Sequence, residues 1–212
     1  STTTTSTINF ITFRYNGSTI GDIDTTDRTV VRYNTFTGAH WAELSSGSVP
    51  PKGTIMSSSN EKVVYTKFNF TDTDGEPNSI NVIGTHSQGA TKNITFNETS
   101  LLATSTGEKF EPPRLVKVKI SDTASDTAVY GVYASESTVN DGDITVESLG
   151  LGLIRINSSV SVSNGDLIES NGDGTGKVQS DTIIRSSTVA KVTSTEKVET
   201  YNDGSYLVSC PL

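Results

Sequence analysis

Cysteine is nearly absent from this chain: Cys210, third from the end, is the only one, so no intrachain disulfide framework can staple the fold. With only two histidines, His40 and His86, beside that one thiol, no zinc set can be assembled at recognised spacings. Bulky apolar residues are scarce as well. Hydrophobic residues make up 33% of the sequence and aromatics 7%, so the core must be thin for 212 residues. No apolar run approaches the roughly 20 residues needed to span a bilayer as a helix, so membrane insertion is not expected. Positive charge is in deficit, with 16 Lys and Arg against 24 Asp and Glu and a formal net charge of −8. Phosphate backbones attract basic faces, so this balance argues against a nucleic-acid partner. No cluster of Lys or Arg is present to sit on an anionic membrane. The chain begins at Ser1 without a Met or a basic and apolar leader, which reads as no signal peptide and as a fragment of something longer.

What is abundant is Ser and Thr, 29 and 32 residues respectively. Thr alternating with Val and Ile favours strands, because branched side chains pack well on a pleated surface. Clusters of Ser, Asn, Asp and Gly supply turns. No segment of helical length carries a 3.6-residue apolar period, whereas short alternating runs recur throughout. Residues 8–15 (INFITFRY) alternate, Asn16-Gly17 turns, and 18–23 return, which is a hairpin signature. Further strands are expected at 29–33, 62–70, 80–84, 93–96, 115–120, 128–133, 144–146, 152–156, 160–162, 167–169, 177–179, 188–193 and 205–208. A turn is expected at Asp72–Gly75 and a loop at Asn171–Gly176. The fold class is therefore all-β, with short antiparallel strands in sandwich-like or barrel-like modules. Composition divides the chain into a polar lead-in (1–34), a β-domain (35–134) and a smaller C-terminal β-domain (135–212).

Three stretches carry a resemblance. The lead-in NFITFRYNGSTIGDI (9–23) resembles the segment before the C-terminal assembly region of phage tail fibres and tailspikes. YNTFTGAHWAEL (33–44) with GTIM (53–56) resembles a module of fibre-like proteins of marine phages and large DNA viruses. Relatives of that module include intramolecular chaperones that cleave themselves off. SDTASDTAVYGVY (121–133), SLGLGLIRI (148–156) and GDLIESNGDGTGKVQSDTIIRSSTVAKVTS (165–194) are similar to its later part. Residues 57–110 lie outside these matches. The resemblance implies a virion exterior appendage assembled in the host cytoplasm. It also implies an intertwined homotrimer that contacts other virion proteins and touches a host-surface glycan or protein. A capsid decoration protein and a self-cleaving chaperone domain are the alternatives.

The chemistry-bearing candidates are few. His40 and Glu43 could pair for acid–base work, although relatives carry Asp where this chain has His40; the competing reading is that His40 and Trp41 anchor a strand. His86 lies in a polar loop, where solvent exposure is expected. Asp72–Glu76 and Asn171–Gly174 echo calcium loops but lack the distal bidentate Glu, so hairpin turns are the expectation. No catalytic residue, metal or cofactor is assigned, and Asn-x-Ser/Thr triplets at Asn16, Asn69, Asn93, Asn97 and Asn157 are expected from a Ser/Thr-rich composition. Host contacts, where present, are expected in the loops 84–92 and 103–112.

Overall fold

A computed structural model of the protein describes residues 8–15, 18–25, 32–34, 37–45, 48–111, 115–136 and 143–212. Among them every regular element is a strand, in agreement with the all-β reading. The lead-in forms a three-stranded antiparallel sheet of β1 (Ile8–Tyr15), β2 (Ser18–Thr25) and β3 (Arg32–Asn34). The β1–β2 pairing has the hairpin order that the alternation implies; the Asn16-Gly17 turn and residues 29–31 of the expected next strand lie outside the described residues.

A closed five-stranded barrel follows, built from β4 (Thr37–Leu44), β5 (Ile55–Lys62), β10 (Val116–Ile120), β11 (Val129–Glu136) and the first half of β12 (Asp143–Ile156). Four seams are antiparallel, and β4 with β10 forms the parallel one. Closure leaves these strands without a free edge. Ala42, Met56, Val118, Tyr133, Ile144 and Val146 fill the interior. Gly131 interrupts the apolar run of β11 for a steric reason. A Cβ there would stand 2.2 Å from the Glu147 carbonyl oxygen on β12, so only glycine lets that seam close.

The strands expected at 144–146 and 152–156 are one: β12 runs unbroken for 14 residues, with a register shift against β4 between Glu147 and Gly150. Its second half leaves the barrel and pairs over Leu151–Ile156 with β17 (Tyr206–Pro211). Around it sit β13 (Leu167–Ser170), β14 (Gly176–Val178), β15 (Thr188–Lys191) and β16 (Glu199–Thr200). Their core of Ile154, Ile156, Ile168, Val189, Val192, Tyr206 and Val208 is shared with Ile55 and Val132 of the barrel. The division expected at 134/135 falls inside β11, which pairs with β12, and the apolar core runs across it. Residues 160–162 form no strand; instead the Val160 carbonyl accepts a hydrogen bond from the Tyr206 hydroxyl at 2.6 Å.

Between β5 and β10 the chain leaves the barrel to make a separate sheet in the order β7-β6-β9-β8. Its strands are β6 (Tyr65–Thr71), β7 (Pro77–Ile83), β8 (Thr91–Phe96) and β9 (Thr99–Phe110), all antiparallel. Register carries the pairing outward from the barrel: Lys62 faces Val116, and Tyr65 faces Phe110. The run 62–70, expected as one strand, is broken at Val63-Val64, where the chain passes from β5 into β6 and buries Val63. One face of this sheet buries Phe68, Phe70, Val82, Ile94 and Ala103, with Phe70 and Phe96 rings 5.0 Å apart. The two-residue turn Asn97-Glu98 has both φ angles positive, as the primed hairpin turns require.

Candidate functional site

The His40–Glu43 pair is not assembled. Ala42 is buried inside the barrel; strand alternation puts His40, which is nonetheless exposed, on that same side and Trp41 and Glu43 on the other. His40 lies opposite Val146, its ring 6.4 Å from that of Tyr130. Glu43 instead faces Lys117, which lies 3.9 Å from it and 3.0 Å from Glu61, forming a charged cluster on the outer barrel wall. Trp41 shares that wall and remains 49% exposed, so it is only partly packed.

His86 departs from the expectation of a solvent-exposed ring. It is half-buried, edge-on to Phe68 with centroids 5.1 Å apart, and its Nε2 lies 3.0 Å from the Ile83 carbonyl. Its backbone N–H donates to the Thr66 hydroxyl, and Gly89 and Ala90 bond with Ser105. The segment 84–90 is thereby fastened over one end of the sheet's apolar face. The other expected contact loop, 103–112, is strand as far as Phe110, with Ala103 and Ser105 buried.

In each calcium-like loop the leading or central aspartate, Asp72 or Asp173, is engaged by protein donors. Asp72 Oδ1 accepts from the Asp74 and Glu76 amides at 3.0 and 2.9 Å, an Asx-type turn. Asp173 accepts from the Thr175 amide and from the side-chain amides of Asn171 and Asn157. Burial works to raise the Asp173 pKa, but the bonds from Thr175, Asn171 and Asn157 outweigh it and hold the group low. No group of three or more His, Cys, Asp or Glu converges among the described residues.

Two polar clusters that the sequence does not reveal are the most enclosed. Asp126 accepts from Ser57 and Ser121 at 2.5 and 2.9 Å and from the Ala128 amide at 2.8 Å; Ser121 reaches on to Ser170 at 2.8 Å. Burial alone would raise the Asp126 pKa, yet these donors together bring it below the usual carboxylate range. The cluster joins β5, the 121–128 loop and β13, with its carboxylate engaged by three donors, so it acts as a bolt between barrel and C-terminal strands. In the second cluster Arg155 donates to Ser205 at 2.7 Å, pairs with Asp203, and lies 5.2 Å from the centre of the Tyr201 ring. Cys210 is likewise structural: burial first, then the nearby Glu147 charge, push its thiol up to about 12, leaving no thiolate nucleophile at neutral pH.

The concavity of note is on the inserted sheet, on the side opposite its core. About 650 Å³ is bounded by Lys67, Asn69 and Thr71 of β6, Ser79 of β7, and Leu102 and Thr104 of β9. No family model matches the chain, and neither a curated protein nor a solved structure matches it.

Proposed function

We propose that this chain is a non-catalytic structural module of a virion's exterior fibre, which works by assembling with further copies of itself, as a homotrimer, and by presenting a surface toward the host. The observation that carries this reading is the lead-in hairpin. Phe10, Ile11 and Phe13 of β1 are 56%, 49% and 51% exposed, and a register irregularity between Asn9 and Ile11 interrupts the alternation at Phe10. A small sheet with three large apolar side chains open to solvent is marginal in water by itself and gains stability by packing into an oligomer. The sequence likeness to fibre modules at 9–23, 33–44, 53–56, 121–133, 148–156 and 165–194 supports the same reading. So does the way the described polar clusters close on themselves by hydrogen bonds, as in a scaffold. Light scattering after size-exclusion chromatography tests it: a species of three times 22.5 kDa is expected, and Phe13→Ser lowers that mass. A wild-type chain that elutes as a monomer at all accessible concentrations overturns the reading.

A further inference from the structure

We infer that the outward face of the inserted sheet is a binding site for an oligosaccharide bearing a carboxylate group, an inference that rests on the host-facing role proposed above. The register places Asn69 at the centre, with Ser79 beside it on β7 and Thr104 beside it on β9; Thr91 of β8 continues the row. Thr71 and Leu102 lie two residues along on β6 and β9, on the same face. Hydroxyl and amide side chains both donate and accept, which is what a polyol with the same double capacity requires. Leu102 is 64% exposed in the middle of this polar surface. An apolar side chain so placed gives the C–H face of a sugar ring something to lie on, as ligand sites combine apolar contact with a few placed polar groups.

Charge points to an acidic sugar. The chain carries 24 carboxylate residues, yet none lines this concavity, and Lys67 is its one charged lining group. The Lys67 ammonium is 3.7 Å from Glu108, a long and exposed pairing that a ligand carboxylate can replace. An ordinary half-solvated sheet face would share the Thr and Asn composition. It would not account for a concave volume of about 650 Å³ free of carboxylates around an exposed Leu in so acidic a chain. The groove is open, and its one aromatic lining residue, Phe70, is buried in the sheet's core and offers no platform, so affinity per site is weak and several copies in one assembly supply avidity.

The test applies the fluorescently labelled 212-residue chain to an array of sialylated and uronic-acid oligosaccharides, each beside its neutral counterpart. Wild type is expected to retain acidic members selectively. Lys67→Ala should weaken them about fivefold, the scale of an exposed ion pair, and leave neutral sugars unaffected. Leu102→Asp should abolish retention; both side chains are exposed, and circular dichroism on the same samples confirms the fold. The inference is overturned if wild type retains no acidic member, if neutral counterparts bind equally well, or if Leu102→Asp binds like wild type. Solution mass measured on the same samples separates this from the fibre reading. A trimer without glycan retention removes the groove alone; a monomer with selective retention removes the fibre and keeps the groove.

Discussion

The barrel-centred body and the inserted sheet draw on the same residue types, and the outward face of the inserted sheet uses them differently from the body. In the body, Ser57, Ser121 and Ser170 are fully buried, and each finds a partner on a segment distant in sequence. Arg155 and Glu169 are buried there too, the first held by Ser205 and Asp203, the second by Ser125 and Lys177. The inserted sheet buries Thr66 and Ser105, but on its outward face the hydroxyl and amide groups of Asn69, Thr71, Ser79 and Thr104 stay exposed, and the pair Lys67–Glu108 lies at the surface. A buried hydroxyl is costly without a partner, so each buried one ties two segments together; an exposed one costs little and remains available. One region is built to be held, the other to be touched.

The sharpest way to break this contrast is Phe68→Ala, which empties the centre of the inserted sheet's own core. It should cost about 4 kcal/mol. If the two regions are separate, thermal unfolding shows a lowered first transition while the barrel transition stays put; a single transition that moves as a whole means they share one core. Gly131→Ala attacks the other region. The new methyl meets the β12 backbone, so the barrel seam should lose about 3 kcal/mol in urea titration, with the inserted sheet unaffected.

Asp126→Ala strips acceptors from Ser57, Ser121 and the Ala128 amide and should cost about 2 kcal/mol. The native Asp126 pKa is lowered, so its contribution is present above the unfolded value of about 4 and is lost as pH falls through the folded one. Urea midpoints taken from pH 6 downward should therefore fall for wild type and fall less steeply for Asp126→Asn. The smallest effect belongs to His86→Ala, about 1 kcal/mol from one ring contact and one hydrogen bond. Faster amide exchange confined to residues 84–90 is its signature.

Legibility in the sequence follows the same divide between regions. The β1–β2 hairpin and β10 are plain because Ile, Phe and Val alternate with polar residues. β5 (IMSSSNEK) is not, because after Met56 polar residues occupy both of its faces, and Ser57, on the side of Ile55, is buried through its bond to Asp126, 69 residues away. β9 (TSLLATSTGEKF) reads as a loop for a related reason. Its inward residues after Leu101 are the small Ala103 and Ser105, so alternation exists in space without an apolar signal, and pairing to both β6 and β8 imposes the strand. The glycines of SLGLGLIRI suggest two strands where one serves two sheets. The groove escaped reading because its residues come from three strands as isolated Asn, Thr and Ser, meeting only through register. His40 and Glu43 failed as a pair on parity alone, three residues apart on a strand.

Native-state hydrogen exchange read by mass spectrometry tests the division of labour most directly. The account predicts that amides of β4, β5, β10–β12 and β17 share one slow class, and that β6–β9 exchange together in a distinct, faster class. A single class spanning both regions would contradict it.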